Sequence, residues 1–270
     1  MSSDAPPAGS ETRPALDAVR AYWDGAHDAY LTHVGTTFQA GRITAGDSMR
    51  ESNLWLARAA GLGAGFRALD AGCGVCGPGI DIAREIAGLR IVGITLSGRQ
   101  TATAAALIRE AGLSDRIQVV NGDYHVLPFA DRTFDAVFFL ESIGYASSLT
   151  PLFTSVYRVL RPGGSLFVKD VFRRERLWSD QEGHELAEFD QVYAQRTPTL
   201  QECVEAAGSA GFTGVSTRDL SDVVSTAHAW RAMGDTSTVA TASGFGRLHH
   251  RRHSCLPVYF AEMIARTPTL

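Results

Sequence analysis

Residues 67–79 read Arg-Ala-Leu-Asp-Ala-Gly-Cys-Gly-Val-Cys-Gly-Pro-Gly, and this stretch decides the predicted fold of the chain. A short apolar run ends at Asp70, and glycines at positions 72, 74 and 77 then lead into a predicted helix over residues 80–87. Glycines at this spacing let the backbone turn sharply at the carboxyl end of a strand and approach a ligand without a Cβ atom in the way. We therefore predict a strand, a ligand-binding loop and a helix.

Asp70, directly before the glycine turn, indicates which kind of ligand the loop binds. Its carboxylate suits the cationic amino-acid end of a ligand, whereas it would repel the pyrophosphate of a dinucleotide. The sequence Asp-Ala-Gly-Cys-Gly from Asp70 to Gly74 resembles the first motif of class I S-adenosylmethionine-dependent methyltransferases. This resemblance implies that S-adenosylmethionine is the cofactor and that Asp70, Gly72 and Gly74 bind it.

Further motifs follow in the order typical of this family, and together they extend the resemblance over residues 68–170. A second strand is predicted at residues 90–95. The sequence Gly-Ile-Thr-Leu-Ser-x-x-Gln at its end is similar to a subgroup with sterol, isoprenoid and cyclopropane-forming carbon methyltransferases. In that subgroup the backbone near the Thr-Leu pair and the glutamine contact the ribose of the cofactor. The resemblance therefore implies the same role for Thr95, Leu96 and Gln100.

The next two predicted strands supply the remaining candidate cofactor contacts. A strand at residues 117–120 leads to Asp123, which matches the residue that accepts a hydrogen bond from the adenine amino group. Tyr124 is implied to lie beside the adenine ring. The fourth strand, at residues 134–140, ends with Leu140, which the resemblance also places at the cofactor.

The alternation of apolar strands and amphipathic helices after residue 65 predicts an α/β fold, with a mostly parallel sheet between helices. A Leu-Arg-Pro-Gly-Gly sequence precedes a fifth strand at residues 165–171, and later strands are predicted at residues 214–219 and 256–265. The resemblance implies a Rossmann-like class I methyltransferase fold with a seven-stranded sheet, helices on both faces and a reversed last strand. Ligands of such sheets bind at the carboxyl ends of the strands.

The chain is predicted to have three parts. Residues 1–14 are rich in Ser, Pro, Ala and Gly and are predicted to be a disordered tail. Residues 15–64 contain a Tyr-Trp pair and a later His-Val-Gly sequence, similar to the N-terminal helical lid that covers cofactor and substrate in this subgroup. Residues 65–270 are predicted to form the Rossmann-like domain, with an insertion at residues 172–198 that supplies one wall of the substrate pocket.

Composition limits the partners and the location of the protein. The 270 residues are 45% hydrophobic, which is enough for one substantial core, and the net charge of −4 argues against nucleic acid as a partner. Neither a membrane span nor a secretion signal is visible, so we expect no membrane partner. Four irregularly spaced cysteines favour reduced thiols in a cytoplasmic protein, and a lone Cys-x-x-Cys pair predicts no metal site. A small molecule is the expected substrate, and the sequence leaves homo-oligomers open.

The loop after the fourth strand carries the candidate catalytic residues. Glu-Ser-x-x-Tyr, from Glu141 to Tyr145, resembles the loop of isoprenoid diphosphate carbon methyltransferases, in which an alkene attacks the methyl group. The resemblance implies that aromatic faces, Tyr145 among them, stabilise the resulting cation and that Glu141 accepts its proton. Related oxygen methyltransferases also carry Glu-Ser here, so Glu141 could instead orient the loop or the amino end of the cofactor.

Candidate substrate contacts are aromatic, basic or histidine side chains near the expected mouth of the site. The residues assigned to substrate binding are Tyr30, His33, Phe172, Trp178, Arg251 and Arg252, with Phe189 and Tyr193 as further aromatic candidates. Residues 247–253 form a dense basic run that could bind a diphosphate, with Mg²⁺ carried by that substrate, or could be a solvated loop. The competing basic cluster near the site consists of Arg173, Arg174 and Arg176.

Three functions are consistent with these motifs. The main hypothesis is a methyltransferase of secondary metabolism that methylates an alkene carbon of an isoprenoid diphosphate. The alternative is an oxygen or nitrogen methyltransferase that tailors a secondary metabolite, for which His125 or His33 would be the base. The third is a cofactor-binding module without catalysis, against which the intact glycine loop argues.

Overall fold

The computed structural model describes residues 15–44, 48–226 and 256–269. Its helices are α1 (Leu16–His33), α2 (Met49–Ala59), α3 (Gly77–Glu85), α4 (Gly98–Glu110), α5 (Leu149–Val159), α6 (Asp180–Val192) and α7 (Leu200–Ser209). Its strands are β1 (Arg42–Ile43), β2 (Arg67–Ala71), β3 (Arg90–Thr95), β4 (Ile117–Asn121), β5 (Phe134–Leu140), β6 (Leu160–Arg173), β7 (Thr213–Asp219), β8 (Val224–Ser225) and β9 (Val258–Arg266). A 3₁₀ turn, Ile143–Tyr145, follows β5. Within the described ranges, no helix combines the length and the apolar character needed to cross a membrane.

Seven of these strands form one sheet in the order β4-β3-β2-β5-β6-β9-β7. Strands β2, β3, β4, β5 and β6 are parallel to one another, whereas β9 runs antiparallel to both β6 and β7. The predicted Rossmann-like fold, with a mostly parallel seven-stranded sheet and a reversed last strand, is therefore confirmed. Because parallel strands end at the same side of a sheet, the loops after β2, β3, β4 and β5 lie close together.

Two helical layers cover the sheet, and each has its own apolar core. Helices α2, α3 and α4 pack on one face, where Leu56, Ile82 and Ile108 are buried in one cluster. Helices α5 and α7 cover the other face, around the buried side chains of Phe153 and Ala207. This arrangement leaves the carboxyl ends of the parallel strands as the side of the sheet where a site can form.

The segment predicted as an N-terminal lid, residues 15–64, divides into two parts in the structure. Leu56 and Ala57 of α2 pack in the same apolar cluster as α3 and β5, so α2 belongs to a layer of the sheet. The other part consists of α1 and the following residues 34–44; α1 packs in a separate apolar cluster, and we call this part the lid. A small two-stranded sheet of β1 and β8 joins this lid to the segment after β7.

Helix α1 is fastened to the amino end of α4 by two polar contacts. Ser97, which is the N-cap of α4, donates a hydrogen bond of 2.5 Å to Asp24. Arg99 forms an ion pair with Asp28 at 2.8 Å. These contacts hold α1 over the loop that follows β3.

The predicted insertion at residues 172–198 contains helix α6, which packs against the lid. Tyr193, directly after α6, is buried with Ala26 and Tyr30 of α1 in a third apolar cluster. The ring centre of Phe189 lies 4.8 Å from that of Tyr193. Lid and insertion therefore meet through aromatic side chains, next to the carboxyl ends of the strands.

Candidate functional site

A cavity lies at the carboxyl ends of β2, β3, β4 and β5, and we call it the glycine-loop cavity. Its walls are Leu16, Val19, Trp23, Phe38, Gln39, Asp70, Gly72, Cys73, Gly74, Pro78, Thr95, Leu96, Gln100, Gly122, Asp123, Tyr124, His125, Leu140, Glu141, Ser142 and Tyr145. All nine residues predicted to bind the cofactor line this cavity: Asp70, Gly72, Gly74, Thr95, Leu96, Gln100, Asp123, Tyr124 and Leu140. The structure thus gathers the predicted cofactor contacts in one place, and their binding role stays a prediction.

Gly72 is required by the shape of the turn after β2. Its φ of +84° lies in the left-handed region, and a Cβ atom there would be 2.4 Å from Cβ of Ser142. The Ser142 hydroxyl donates a hydrogen bond of 2.6 Å to the carbonyl oxygen of Ala71. The loop after β5 therefore packs directly on the glycine turn, and a side chain at position 72 would separate them.

The Cys-x-x-Cys pair fills the space beside Gly93 of β3. A Cβ atom at Gly93 would lie 2.7 Å from Sγ of Cys73 and 2.8 Å from Sγ of Cys76. Both thiols are free and buried, and a hydrogen bond to Cys76 together with burial raises the pKa of the Cys73 thiol. The pair therefore has a packing role. Among the described residues, no group of three or more His, Cys, Asp or Glu side chains is arranged to hold a metal ion.

Asp70 is buried in the wall of the glycine-loop cavity with one carboxylate oxygen lacking a partner. The residue is 2% exposed, and its Oδ2 atom has no hydrogen-bond partner within the described chain. Burial raises the pKa of this carboxyl to about 8, because the charged form loses its solvation. A cationic group of a bound ligand would supply the missing partner and restore the ionised form.

Thr95 and Gln100 form a buried pair at the loop after β3. The Thr95 hydroxyl donates a hydrogen bond of 2.6 Å to Oε1 of Gln100. The backbone amide of Gln100 donates to the hydroxyl of Ser97 at 3.1 Å, which fixes the start of α4. Because Oε1 is already an acceptor, the side-chain amide of Gln100 is the group that can donate to a sugar hydroxyl.

His125 holds Asp123 in place, and both nitrogen atoms of its ring are committed. Nδ1 lies 2.6 Å from Oδ1 of Asp123, and Nε2 accepts a hydrogen bond of 2.9 Å from the backbone amide of Ser147. Since Nε2 is an acceptor, the ring proton is on Nδ1 and is donated to Asp123. His125 therefore does not fit the predicted role of a base. It orients Asp123, whose Oδ2 atom remains for an adenine amino group.

A second cavity adjoins the first, and we call it the aromatic cavity. Its walls are Trp23, Tyr30, Val34, Phe38, Gln39, Ala40, Glu141, Tyr145, Asp170, Val171, Phe189, Tyr193, Gln195, Thr226, Leu256, Val258 and Phe260. Trp23, Phe38, Gln39, Glu141 and Tyr145 line both cavities. The rings of Trp23 and Phe38 stack with centres 6.0 Å apart, and the ring of Tyr145 lies 5.6 Å from Trp23. The two cavities therefore meet beside Glu141 and Tyr145, and we call this place the junction.

Glu141 lies at the junction, but its carboxylate is engaged by the lid. Oε2 accepts a hydrogen bond of 2.6 Å from the backbone amide of Ala40, and Oε1 accepts one of 3.0 Å from Gly41. Oε1 also pairs with the ammonium group of Lys169, whose side chain is fully buried. We call this pair the Glu141–Lys169 clamp. These contacts favour the alternative in which Glu141 orients its surroundings over the one in which it accepts a proton.

Asp170 is the charged residue of the aromatic cavity that the motifs did not reveal. It follows Lys169 near the carboxyl end of β6, and the available signal was a Lys-Asp pair inside an otherwise apolar strand sequence. Burial, together with the charge of Glu141, raises the pKa of the Asp170 carboxyl to about 7.

The structure separates the predicted substrate contacts. Tyr30 lines the aromatic cavity, whereas His33 is the last residue of α1 and lines neither cavity of the described chain. Phe172 is fully buried in the apolar cluster that packs below α5 and α7. Trp178 donates its indole N–H to the carbonyl oxygen of Arg174 at 2.9 Å, away from both cavities. The burial of Phe172 therefore argues against its predicted substrate contact, whereas the roles of His33 and Trp178 stay predictions that neither described cavity supports.

The arginines of the competing basic cluster already contact neighbouring acidic or aromatic side chains. Arg173 and Arg176 form ion pairs with glutamates of α7 and α6. The guanidinium of Arg174 lies 4.8 Å from the centre of an aromatic ring of β9. Arg251 and Arg252, with the basic run at residues 247–253, lie outside the described residues.

Known proteins share the sequence pattern of this site. A family described as a methyltransferase domain matches residues 69–168. A sterol 24-C-methyltransferase from Eremothecium gossypii is 30% identical over 213 residues, which are 76% of this chain and 57% of that protein. The chain thus spans a little more than half the length of this relative.

Solved structures share the fold over nearly the whole chain. The 4+2 cyclase SpnF superposes with a TM-score of 0.80 at 23% identity, over 96% of this chain and 98% of that one. Geranyl diphosphate C-methyltransferase from Streptomyces coelicolor A3(2), in complex with Mg²⁺, geranyl diphosphate and S-adenosyl-L-homocysteine, gives a TM-score of 0.72 at 18% identity, over 96% and 99%. These likenesses establish the fold. The family match assigns residues 69–168 to a methyltransferase domain, and the glycine-loop motif within them is the one that resembles class I S-adenosylmethionine-dependent methyltransferases.

Proposed function

We propose that this protein transfers the methyl group of S-adenosylmethionine to a carbon atom of an apolar small molecule, with an isoprenoid alkene as the acceptor. The observation that carries the proposal is the junction, where Glu141 and Tyr145 line both cavities. A cofactor in the glycine-loop cavity and a substrate in the aromatic cavity would meet there. The similarity to a sterol 24-C-methyltransferase supports carbon as the acceptor atom.

The residues of the glycine-loop cavity fit S-adenosylmethionine along its length. Asp70 offers an unpartnered carboxylate oxygen to the amino-acid end, and Gly72 keeps the turn free of a side chain. Gln100 offers a donor to the ribose, and Asp123 offers an acceptor to the adenine amino group. When bound, this cofactor supplies an electrophilic methyl group.

Residues of the junction would manage the positive charge that develops on an alkene acceptor. The aromatic faces of Trp23, Phe38 and Tyr145 attract a cation by about 0.5–2 kcal/mol each, depending on how dry the site is. The Glu141–Lys169 clamp holds Ala40 and the residues beside it over the junction. This cover would keep water away from the cation.

Asp123→Ala should weaken the binding of S-adenosylmethionine by about 1–3 kcal/mol, because the adenine amino group would lose its acceptor. This corresponds to a rise in Kd of roughly 5- to 150-fold. Calorimetric titration of the purified variant measures the change. Asp131→Ala is the matched control, since Asp131 is an exposed partner of Arg158 outside both cavities. An unchanged Kd in Asp123→Ala would contradict the adenine assignment.

We extend the proposal to an isoprenoid diphosphate, whose head group would be bound by the basic run at residues 247–253. The fold shared with a geranyl diphosphate C-methyltransferase supports this extension. In the described wall of the aromatic cavity the charged side chains are the carboxylates Glu141 and Asp170. The cations for a diphosphate would therefore have to come from Arg251 and Arg252, with Mg²⁺ entering with the substrate.

Replacing Arg251 and Arg252 together with alanine should raise the KM for a prenyl diphosphate by about 10-fold or more, because hydrogen bonds to a charged group are lost. The KM for S-adenosylmethionine should stay the same. Steady-state kinetics with each ligand varied in turn measures both values. Arg174→Ala is the control from the competing basic cluster. An unchanged KM for the diphosphate would contradict this head group and favour an uncharged isoprenoid.

The transfer itself is tested with S-adenosylmethionine that carries a labelled methyl group. Prenyl diphosphates, sterols, phenols and amines are offered, and the labelled atom is located by NMR. Label on carbon supports the proposal, and label on oxygen or nitrogen supports the alternative tailoring activity. A second candidate is a reaction without methyl transfer, which the fold shared with the cyclase SpnF favours. Conversion of a substrate without label would support that candidate.

The location and the metabolic role are also part of the proposal. Three free cysteines in the described chain favour a reducing compartment such as the cytoplasm. A place in secondary metabolism rests on the sequence resemblance to isoprenoid carbon methyltransferases.

A further inference from the structure

Asp170 lies in the aromatic cavity with its carboxylate directed at the turn that carries Tyr145. Its Oδ2 atom accepts a hydrogen bond of 2.8 Å from the backbone amide of Ile143, and its Oδ1 atom accepts one of 2.7 Å from Val171. The residue is 6% exposed. Because each carboxylate oxygen can accept two hydrogen bonds, both oxygens retain capacity for a further proton donor. The group is therefore firmly placed without being saturated.

Glu141 differs from Asp170 in the two properties that decide proton acceptance. Its carboxylate already accepts from Ala40, Gly41 and Lys169, and one of these donors is a cation that balances its charge. Protonation of Glu141 would break the clamp and leave a buried ammonium group without its counter-ion. Asp170 accepts from two backbone amides within the described chain, so protonation of its free lone pairs costs no ion pair.

We propose that Asp170, rather than Glu141, accepts the proton that the substrate loses after methylation, an inference that rests on the proposed function. The π-electron pair of the alkene forms the new carbon–carbon bond to the methyl group. The bond between that methyl carbon and sulfur breaks, and its electron pair stays on sulfur. A carbon–hydrogen bond next to the resulting cation then breaks: its electron pair forms a new double bond, and its proton binds a carboxylate oxygen of Asp170.

The surroundings of Asp170 suit this exchange of a proton. The charged and titratable groups that face it are Glu141 and Tyr145 after β5, Lys169 of β6, Tyr124 after β4 and Cys203 of α7. Burial and the charge of Glu141 raise the pKa of Asp170 to about 7, so the carboxylate can take up a proton near neutral pH and release it again. Turnover should therefore rise as the pH increases through this value and Asp170 becomes ionised.

Asp170→Asn tests the inference in the full-length protein, with labelled S-adenosylmethionine and the substrate found in the transfer assay. We expect kcat to fall by about 100-fold or more, the scale of a positioned base, while the KM for S-adenosylmethionine changes little. The rise of kcat near pH 7 should disappear. Asp190→Asn is the matched control, because Asp190 is a half-buried carboxyl with a pKa raised to about 6 that accepts from Thr197 outside both cavities. This control should keep the wild-type pH profile.

A binding measurement on the wild-type protein covers the case in which Asp170→Asn does not fold. Dodecyltrimethylammonium, which carries a permanent charge, is titrated into the protein at pH 6 and pH 8 in the presence of S-adenosylhomocysteine, with dodecanol as the uncharged control. Ionisation of Asp170 should strengthen binding of the ammonium compound by about 10-fold at the higher pH and leave dodecanol unchanged.

The outcomes separate the two claims. Absence of methyl transfer by the wild type would overturn the proposed function and the proton transfer with it. Normal turnover of Asp170→Asn, or equal ammonium affinity at both pH values, would overturn the role of Asp170 while the methyltransferase function stands. A lost pH dependence in Asp170→Asn, with an intact profile in Asp190→Asn, supports the inference.

Discussion

Replacing Lys169 by methionine should lower the free energy of unfolding by about 3–5 kcal/mol, because Glu141 would remain buried without its cation. The Lys169 side chain is fully buried and that of Glu141 is 9% exposed, so solvent cannot take the place of the missing charge. In a chain of this size each kcal/mol changes the Tm by about 2–4 °C, so the Tm should fall by roughly 6–20 °C. Thermal unfolding followed by circular dichroism measures this shift.

The surface ion pair of Arg50 and Glu85 gives the matched control. Its side chains are 48% and 53% exposed, and such pairs contribute about 0–1 kcal/mol. Arg50→Met should therefore change the Tm little. Combining Lys169→Met with Glu141→Gln should recover part of the loss, since both buried charges are then removed. A shift for Lys169→Met as small as that for Arg50→Met would contradict the clamp.

The clamp also determines how a loss of enzymatic activity in a Glu141 variant is interpreted. Lys169 donates a hydrogen bond of 2.7 Å to the carbonyl oxygen of Gly41, so the pair fastens the lid as well as its own strands. Glu141→Gln should therefore lower the Tm and kcat together, even if Glu141 never accepts a proton. The pH dependence of kcat distinguishes the roles, because it should persist in Glu141→Gln and disappear in Asp170→Asn.

The residues of the glycine-loop cavity could be predicted to lie together because they stand within short motifs. Asp70 and Gly72 belong to one turn, and the hydrogen bond between Thr95 and Gln100 joins residues five apart. Parallel strands bring these turns together at one side of the sheet, and this does not depend on the other segments of the chain. The sequence of each turn was therefore enough to place its residues.

The aromatic cavity depends on contacts between distant parts of the chain, which a motif does not contain. Lys169 contacts Glu141 across 28 residues and Gly41 across 128 residues. Phe172 is fully buried because α5 and α7, which come from other parts of the chain, cover its side chain. His125 looked like a free base because its partner, the amide of Ser147, lies in another loop.

Gly77→Ala should weaken S-adenosylmethionine binding by about 5- to 150-fold, because the added methyl group would collide with the lid. A Cβ atom at Gly77 would lie 2.1 Å from the carbonyl oxygen of Thr36. That backbone cannot easily retreat, since the side-chain amide of Asn53 donates to the hydroxyl of Thr37 at 3.1 Å and Glu141 holds Ala40. The collision must therefore displace either the lid or the glycine loop. Calorimetric titration with the cofactor measures the loss.

Gly25→Ala is the control for this collision, because a Cβ atom at Gly25 of α1 meets nothing within 4 Å. It should leave the Kd unchanged and stabilise α1 by about 0.5–1 kcal/mol. Amide hydrogen exchange distinguishes the two ways in which Gly77→Ala could act. Faster exchange at residues 34–44 indicates that the lid has moved. Faster exchange at residues 72–79 indicates that the glycine loop has moved. Wild-type affinity in Gly77→Ala would mean that the lid does not rest on the glycine loop when the cofactor binds.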